Sequence, residues 1–371
     1  MQALPARPGD SVDEIDTPAL VVDLEAFERN LDLMANAVRG AGIALRPHAK
    51  SHKCPDIALQ QIERGAVGIC CQKVGEAEAF VAGGVRDVLV TNEIVGVAKL
   101  ARLAALATKA KVGVLADDAA TVRHIGAAAR AAGASIDVLV EVNVGADRCG
   151  TPPGPPAVDL AHAIARTPGL SFRGIHAYQG SAQHLRSPDE RRAAIARASE
   201  LAASTKSLIE AEGIRCPTVT GAGTGTWQLE RDSGVYTELQ PGSYLFMDAD
   251  YQRNALAADQ HAFEQSLFVL CAVMSTPVRE RAIVDAGLKA SAFDSGPPVI
   301  YGLRGVSYLK ASDEHGVLAV APDATPPLIG DRVWLIPGHC DPTVNLYDWI
   351  VGVRGTRVEC LWPVAARGAL A

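Results

Sequence analysis

The chain contains eight cysteines (Cys54, Cys70, Cys71, Cys149, Cys216, Cys271, Cys340 and Cys360) but no CxxC pair and no regular cysteine framework. A chain of this length needs no disulfide staples, so free thiols are the expected state. A basic cluster is missing too: 35 Lys and Arg stand scattered against 42 Asp and Glu, for a net charge of -7. That leaves no electrostatic footprint for nucleic acid, and no such partner is expected. Residues 1–10 carry Pro and Gly but no apolar run, so neither a signal peptide nor a membrane span is expected. No internal repeat, low-complexity tract or long linker is found. A soluble, cytoplasmic protein with no membrane partner is the expectation.

What is there is a large apolar fraction, 48% of 371 residues, enough for one large domain and a smaller one. Short apolar runs at 19–22, 43–46, 67–71, 87–91, 112–116, 136–142, 172–176 and 218–221 alternate with amphipathic, Ala-rich stretches such as 24–38, 98–107, 119–132 and 189–212. Strand and helix alternating at this spacing predict a parallel sheet with right-handed crossovers, and about eight repeats predict an α/β fold closed as a (β/α)8 TIM-like barrel over residues 16–255. Beyond it, β-branched runs at 272–276, 281–284, 302–309, 316–321, 332–336 and 350–354 predict a mostly antiparallel β domain over 256–371, joined by residues 1–15.

Arg46-Pro47-His48-Ala49-Lys50-Ser51-His52-Lys53 follows a predicted helix and strand and packs two lysines and two histidines into one loop. A lysine at a strand end among other cations can lose its proton near neutral pH and act as an amine nucleophile, the chemistry of a Schiff base. In such a barrel the site lies at the carboxyl ends of the strands, and a phosphate is often held after the last two. Gly221-Ala222-Gly223-Thr224-Gly225-Thr226 and Gln240-Pro241-Gly242-Ser243 fall there, with glycines that admit an anion to backbone N–H groups and hydroxyls that add donors. The first turn lacks the GxGxxG spacing, so no dinucleotide site is read. In Pro337-Gly338-His339-Cys340-Asp341, an extended segment would put His339 and Asp341 on one face, where they can share Mn²⁺, Mg²⁺, Co²⁺ or Zn²⁺. Arg148, Gln72 and Tyr178 each lie just past a predicted strand, at the barrel mouth.

Together these motifs resemble pyridoxal-phosphate enzymes of the alanine racemase fold. The Lys50 and His339-Cys340-Asp341 segments, some 290 residues apart, resemble more narrowly the metal-activated D-threonine aldolases, D-3-hydroxyaspartate aldolases and eukaryotic-type D-serine dehydratases. The resemblance implies that Lys50 forms the Schiff base with the cofactor and that Gly242, Ser243, Thr224, Thr226 and Tyr251 hold its phosphate. It further implies that Arg148 sits near the cofactor phenolate and the substrate carboxylate, and that His339 and Asp341 bind the divalent ion, with manganese first. Two departures matter. Gln240 stands where racemases carry an arginine, which argues against simple racemisation; and the related dehydratases read His-x-Cys where this chain reads His-x-Asp, a harder ligand pair like that of the aldolases. The implied reaction is retro-aldol cleavage of a D-3-hydroxy amino acid, with His52 a candidate base. The alternatives are a D-3-hydroxyaspartate aldolase, a dehydratase on the same scaffold and, remotely, a non-catalytic pyridoxal-phosphate carrier. Asp313 and His315 are candidate substrate contacts from the β domain, and a homodimer is expected by resemblance alone.

Overall fold

A computed structural model of the protein describes residues 4–258 and 260–371. The first strand, β1 (Ala19–Asp23), leads into the helix Leu24–Ala41. Asp23 caps that helix by accepting from the backbone N–H groups of Glu25 and Ala26, and Gly42 ends it in the left-handed conformation. Phe27, Leu31, Met34 and Val38 form its buried stripe.

Eight parallel strands follow: β2 (Ala44–Leu45), β3 (Ile69–Cys71), β4 (Asp87–Glu93), β5 (Lys111–Ala116), β6 (Ile136–Glu141), β7 (Leu170–His176), β8 (Thr218–Gly221) and β9 (Glu238–Leu239). Neighbours run β2-β9-β8-β7-β6-β5-β4-β3. The ring closes where Val67 N–H donates to Leu45 O at 2.9 Å and Cys70 N–H to Pro47 O at 2.8 Å. This is the expected (β/α)8 TIM-like barrel, with a second, mostly antiparallel sheet beside it.

That sheet contains β10 (Leu267–Val278), β11 (Arg281–Val284), β12 (Val299–Tyr301), β13 (Val306–Ala311), β14 (Gly316–Val320), β15 (Arg332–Ile336), β16 (Trp349–Arg354) and β17 (Arg357–Pro363). Its order is β13-β14-β11-β10-β1-β16-β17, with β15 also on β10 and β12 on β15. One expectation fails at β1, which pairs antiparallel with β10 and parallel with β16 and is not a barrel strand; the eighth barrel strand is β9. The cause is burial on both faces. Residues 19–22 are all buried between two neighbours, so the run Ala-Leu-Val-Val reads like a parallel barrel strand. Residues 9–12 run beside the start of β17, where Gly9 N–H donates to Val358 O at 2.8 Å and, in the turn before it, Thr356 O accepts from Val12 N–H at 3.0 Å; residues 1–3 lie outside the described residues. Among the described residues no helix is long and apolar enough to cross a membrane.

Candidate active site

A cavity of about 290 Å³ opens at the carboxyl ends of the barrel strands, walled on one side by His339 and Asp341 from the loop after β15. Which lysine serves it is decided within four residues. Residues 49–51 form a single 3-10 turn whose first N–H groups include that of Lys50, donated to His48 Nδ1 at 3.4 Å, and Lys50 lines the cavity. Lys53 takes a left-handed backbone (φ 51°), and its Nζ lies 3.1 Å from Glu76 Oε1 and 3.0 Å from Asn345 Oδ1, a buried pair. Lys50 Nζ stands 3.7 Å from Asp341 Oδ2. Burial and Arg148 pull the Lys50 pKa down, but Asp341 outweighs them and the amine sits above its ordinary value. The lowering expected from the basic loop is therefore not found, because the loop's own cations are turned elsewhere and an acid from the second sheet faces the amine.

The two histidines of the loop diverge in the same way. His48 Nε2 contacts Thr91 Oγ1 at 2.9 Å and Gln72 Oε1 at 3.1 Å, and burial holds the ring neutral, far below its ordinary pKa. Its Nδ1 accepts from Lys50, so Nε2 carries the proton and donates. His52 is fully buried against the Phe80 ring, does not line the cavity and is pushed by burial to a pKa of about 3. This overturns its reading as a base.

The other walls come from strand ends. Gln72, past β3, is fixed by Thr91 O at 3.1 Å and by His48. The Arg148 guanidinium lies 5.7 Å from the Tyr178 ring centroid, and burial raises the Tyr178 pKa. In the floor, Gln240 bridges His176 Nε2 at 3.0 Å and Thr220 Oγ1 at 2.8 Å, and His176 Nδ1 contacts Glu141. At the far end, the Thr224 hydroxyl is buried, lines the cavity and has no protein partner. Thr226 is different. It donates to Glu230 Oε1 at 2.8 Å, accepts from Gln183 Nε2 at 2.8 Å and does not line the cavity, so its place as a phosphate ligand is not found; it ties the turn to the helix that follows. Gly242 must be glycine, since a Cβ there would meet His48 O at 2.7 Å. Ser243 turns its hydroxyl to Asp341 Oδ1 at 3.3 Å, and Tyr251 stacks on His184 with centroids 5.8 Å apart.

His339 and Asp341 meet in the cavity, but not on an extended segment: His339 caps the short helix Cys340–Val344. The loop is docked onto the barrel by Asp248, fully buried, which accepts from Cys340 N–H and from Tyr251 N–H, each at 2.9 Å. Asp294 Oδ2 lies 2.6 Å from His339 Nδ1 and leaves Nε2 as the free nitrogen. Burial would raise the Asp341 pKa, but Lys50 and His339 hold it below its ordinary value.

Sequence reasoning missed His184, which lines the cavity with Nδ1 2.5 Å from Asp250 Oδ2. Arg186, Arg253 and His184 together outweigh burial and lower the Asp250 pKa to about 2. It also missed His48, Glu141, His176 and Asp294. Glu141 and His176 are the last residues of β6 and β7, the position where barrel enzymes carry functional groups, and that rule would have found them. His184 leaves no such trace, being the last residue of a short 3-10 helix, Gly180–His184. Asp313 and His315 lie in an exposed turn and do not line the cavity of their own chain.

This geometry has close parallels. Residues 22–250 match the family described as Alanine racemase, N-terminal domain, and residues 266–353 the Putative serine dehydratase domain. The chain belongs to the alanine racemase-fold family. Within that family it is 50% identical over 98% of its length to a D-threonine aldolase of an Arthrobacter species, of which it covers 96%. It is 46% identical, over 98% of its length and 95% of the relative, to a 3-hydroxy-D-aspartate aldolase of Paracoccus denitrificans strain Pd 1222. The crystal structure of a D-threonine aldolase from Filomicrobium marinum superposes with a TM-score of 0.98 at 50% identity, covering 99% of this chain and 100% of that one. The protein is thus an enzyme, a lyase of the D-threonine aldolase type, and membership of this alanine racemase-fold family implies pyridoxal phosphate.

Proposed function

We propose that the protein cleaves D-3-hydroxy amino acids, D-threonine foremost, to glycine and an aldehyde, with pyridoxal phosphate and a divalent ion. The single observation that carries this is that Lys50, His339 and Asp341 line one cavity although their segments lie in different sheets.

The residues present fit both groups. For pyridoxal phosphate there is an amine that opens on the cavity at one end and, at the other, the buried Thr224 hydroxyl that lacks a protein partner, an arrangement suited to an oxyanion. Thr224, Gly223, Gly242 and Ser243 would hold the phosphate, with Tyr178, Arg148 and Gln72 around the ring. When bound, the cofactor supplies a carbonyl for an amine to condense with and a conjugated ring that takes up the electron pair left at Cα. For the metal, His339 offers an imidazole nitrogen oriented by Asp294, and Asp341 a carboxylate. One nitrogen and one carboxylate oxygen suit Mn²⁺ or Mg²⁺ at least as well as Zn²⁺.

The chain's own groups then divide the work. Lys50 presents the amine. Arg148 is placed to hold the substrate carboxylate with its planar fork. His184, with Nδ1 bound to Asp250, has Nε2 left to take the proton from the substrate β-hydroxyl as the Cα–Cβ bond breaks, and that proton or another returns to Cα to give glycine. The partner of the enzyme is a small molecule, and a homodimer in the cytoplasm, with the exposed 312–315 turn offered to a second copy, belongs to the proposal.

Product analysis tests it. Purified protein with pyridoxal phosphate, Mn²⁺ and D-threonine is expected to release glycine and acetaldehyde in equal amounts. Release of 2-oxobutanoate and ammonia would instead make it a dehydratase.

A further inference from the structure

Below the cavity the barrel carries a line of buried polar groups that the proposed bond cleavage does not use directly. Asp87 Oδ1 accepts from Arg46 Nη1 at 2.7 Å, and Arg46 Nε donates to Glu238 Oε2 at 3.0 Å. Thr220 Oγ1 lies 2.9 Å from Glu238 Oε1, Gln240 Nε2 2.8 Å from Thr220 Oγ1, and His176 Nε2 3.0 Å from Gln240 Oε1. Glu141 Oε2 ends the line on His176 Nδ1. From Arg46 to Glu141 every member of the line is less than a tenth exposed.

Counting donors places each proton. Arginine only donates, so the Glu238 carboxylate paired with it accepts. Thr220 has one hydroxyl hydrogen, and Glu238 takes it; the Thr220 oxygen must then accept from its other neighbour. That turns the Gln240 NH₂ toward Thr220 and its carbonyl oxygen toward His176, an assignment the donor count requires. His176 Nε2 must therefore carry a hydrogen. The Glu141 carboxylate in ion-pair contact with Nδ1 favours a second, and a ring with a hydrogen on both nitrogens is an imidazolium.

We infer that His176 is a fixed imidazolium in the cavity floor, and that the Arg46–Glu238 pair at the far side of the barrel is a positioning device that orients Gln240 and through it holds that charge. The groups facing His176 are Glu141 and Gln240 along the line, with Arg148, His48 and the Tyr178 ring on the cavity side. Burial and Arg148 oppose the charge, His48 is held neutral, and Glu141 with Gln240 prevails, so the His176 pKa stands above its ordinary value. A permanent cation there suits a site whose expected ligands, a phosphate ester and an amino acid carboxylate, are anions. Only the kinetic part of the inference rests on the proposed reaction.

The test uses the ¹⁵N-labelled holoenzyme without substrate, so a failure of the aldol reading leaves it untouched. Two downfield imidazole N–H resonances are expected from one ring, present from pH 6 to 9 and absent in His176→Gln. Thr220→Val lets Gln240 turn over: at least one resonance should move or vanish, and kcat on D-threonine should fall up to about 100-fold with KM changed less. Thr220→Ser, which restores the hydroxyl, should recover both. A single N–H on His176 in the unaltered protein overturns the inference whatever the variants do, and so does a Thr220→Val enzyme with unchanged resonances and kinetics. If Thr220→Val does not fold, the unaltered protein's spectrum decides.

Discussion

The floor of the cavity and its metal-side lip contain the same kinds of residue and use them in opposite ways. In the floor, Gln240 and His176 have the partners that the line through Thr220, Glu238 and Glu141 provides. At the lip, Lys50 and the free nitrogens of His339 and His184 face the cavity with one side of each group held and the other left open. A committed polar group contributes geometry, because leaving it unpaired in the interior costs free energy; an open one contributes chemistry. Lys50 and Lys53 show the division three residues apart.

Replacing each lysine in turn has the largest expected effect. Lys50→Ala is expected to remove turnover and the absorbance of bound cofactor while leaving the melting temperature nearly unchanged. Lys53→Met should do the reverse: it leaves Glu76 buried without its cation, for a loss of about 3–5 kcal/mol in chemical denaturation, and leaves kcat in the folded enzyme within a small factor. Equal loss of turnover in both would erase the distinction. His184→Gln comes next. It should lower kcat by about 10²- to 10⁴-fold with cofactor binding intact, the range for a lost acid–base group, read from steady-state kinetics on D-threonine.

Asp294→Ala tests whether the lip's open nitrogen depends on the held one. Without its carboxylate partner His339 should bind the ion about 10- to 100-fold more weakly, seen as a higher Mn²⁺ concentration for half-activation at unchanged saturated kcat. The smallest effect is a slope. His52 is buried neutral with a pKa of about 3, below its ordinary value, so its contribution to stability is complete above about pH 6.5 and is lost as pH falls toward 3, by about 1.4 kcal/mol per unit. In His52→Asn the stability between pH 7 and 5, measured by urea denaturation, should depend less steeply on pH.

Much of the barrel was legible because its strands are short apolar runs separated by amphipathic helices, and that period survives whatever surrounds it. The reading went wrong at β1 for a definable reason: a strand buried on both faces has the same composition whether its neighbours are barrel strands or β10 and β16. Strands β9, β12 and β17 were not among the predicted runs. Of the site, Lys50, His339 and Asp341 were visible as chemistry-bearing residues in loops after strands. Thr226 and His52 looked like their neighbours Thr224 and Lys50 in sequence, and only their side-chain directions separate them. His184 and Asp250, 66 residues apart, carry no local pattern at all.

By itself the sequence determined the barrel, the residue types the chemistry needs and the loops that carry them, since periodicity and turn composition act over a few residues. Which amine faces the cavity, that Asp341 raises its pKa instead of neighbouring cations lowering it, and that His176 and Gln240 are locked by an ion pair across the barrel were decided by tertiary structure alone. Proton positions and pKa values depend on partners a few ångströms away, and the fold, not the order of the chain, chooses those partners.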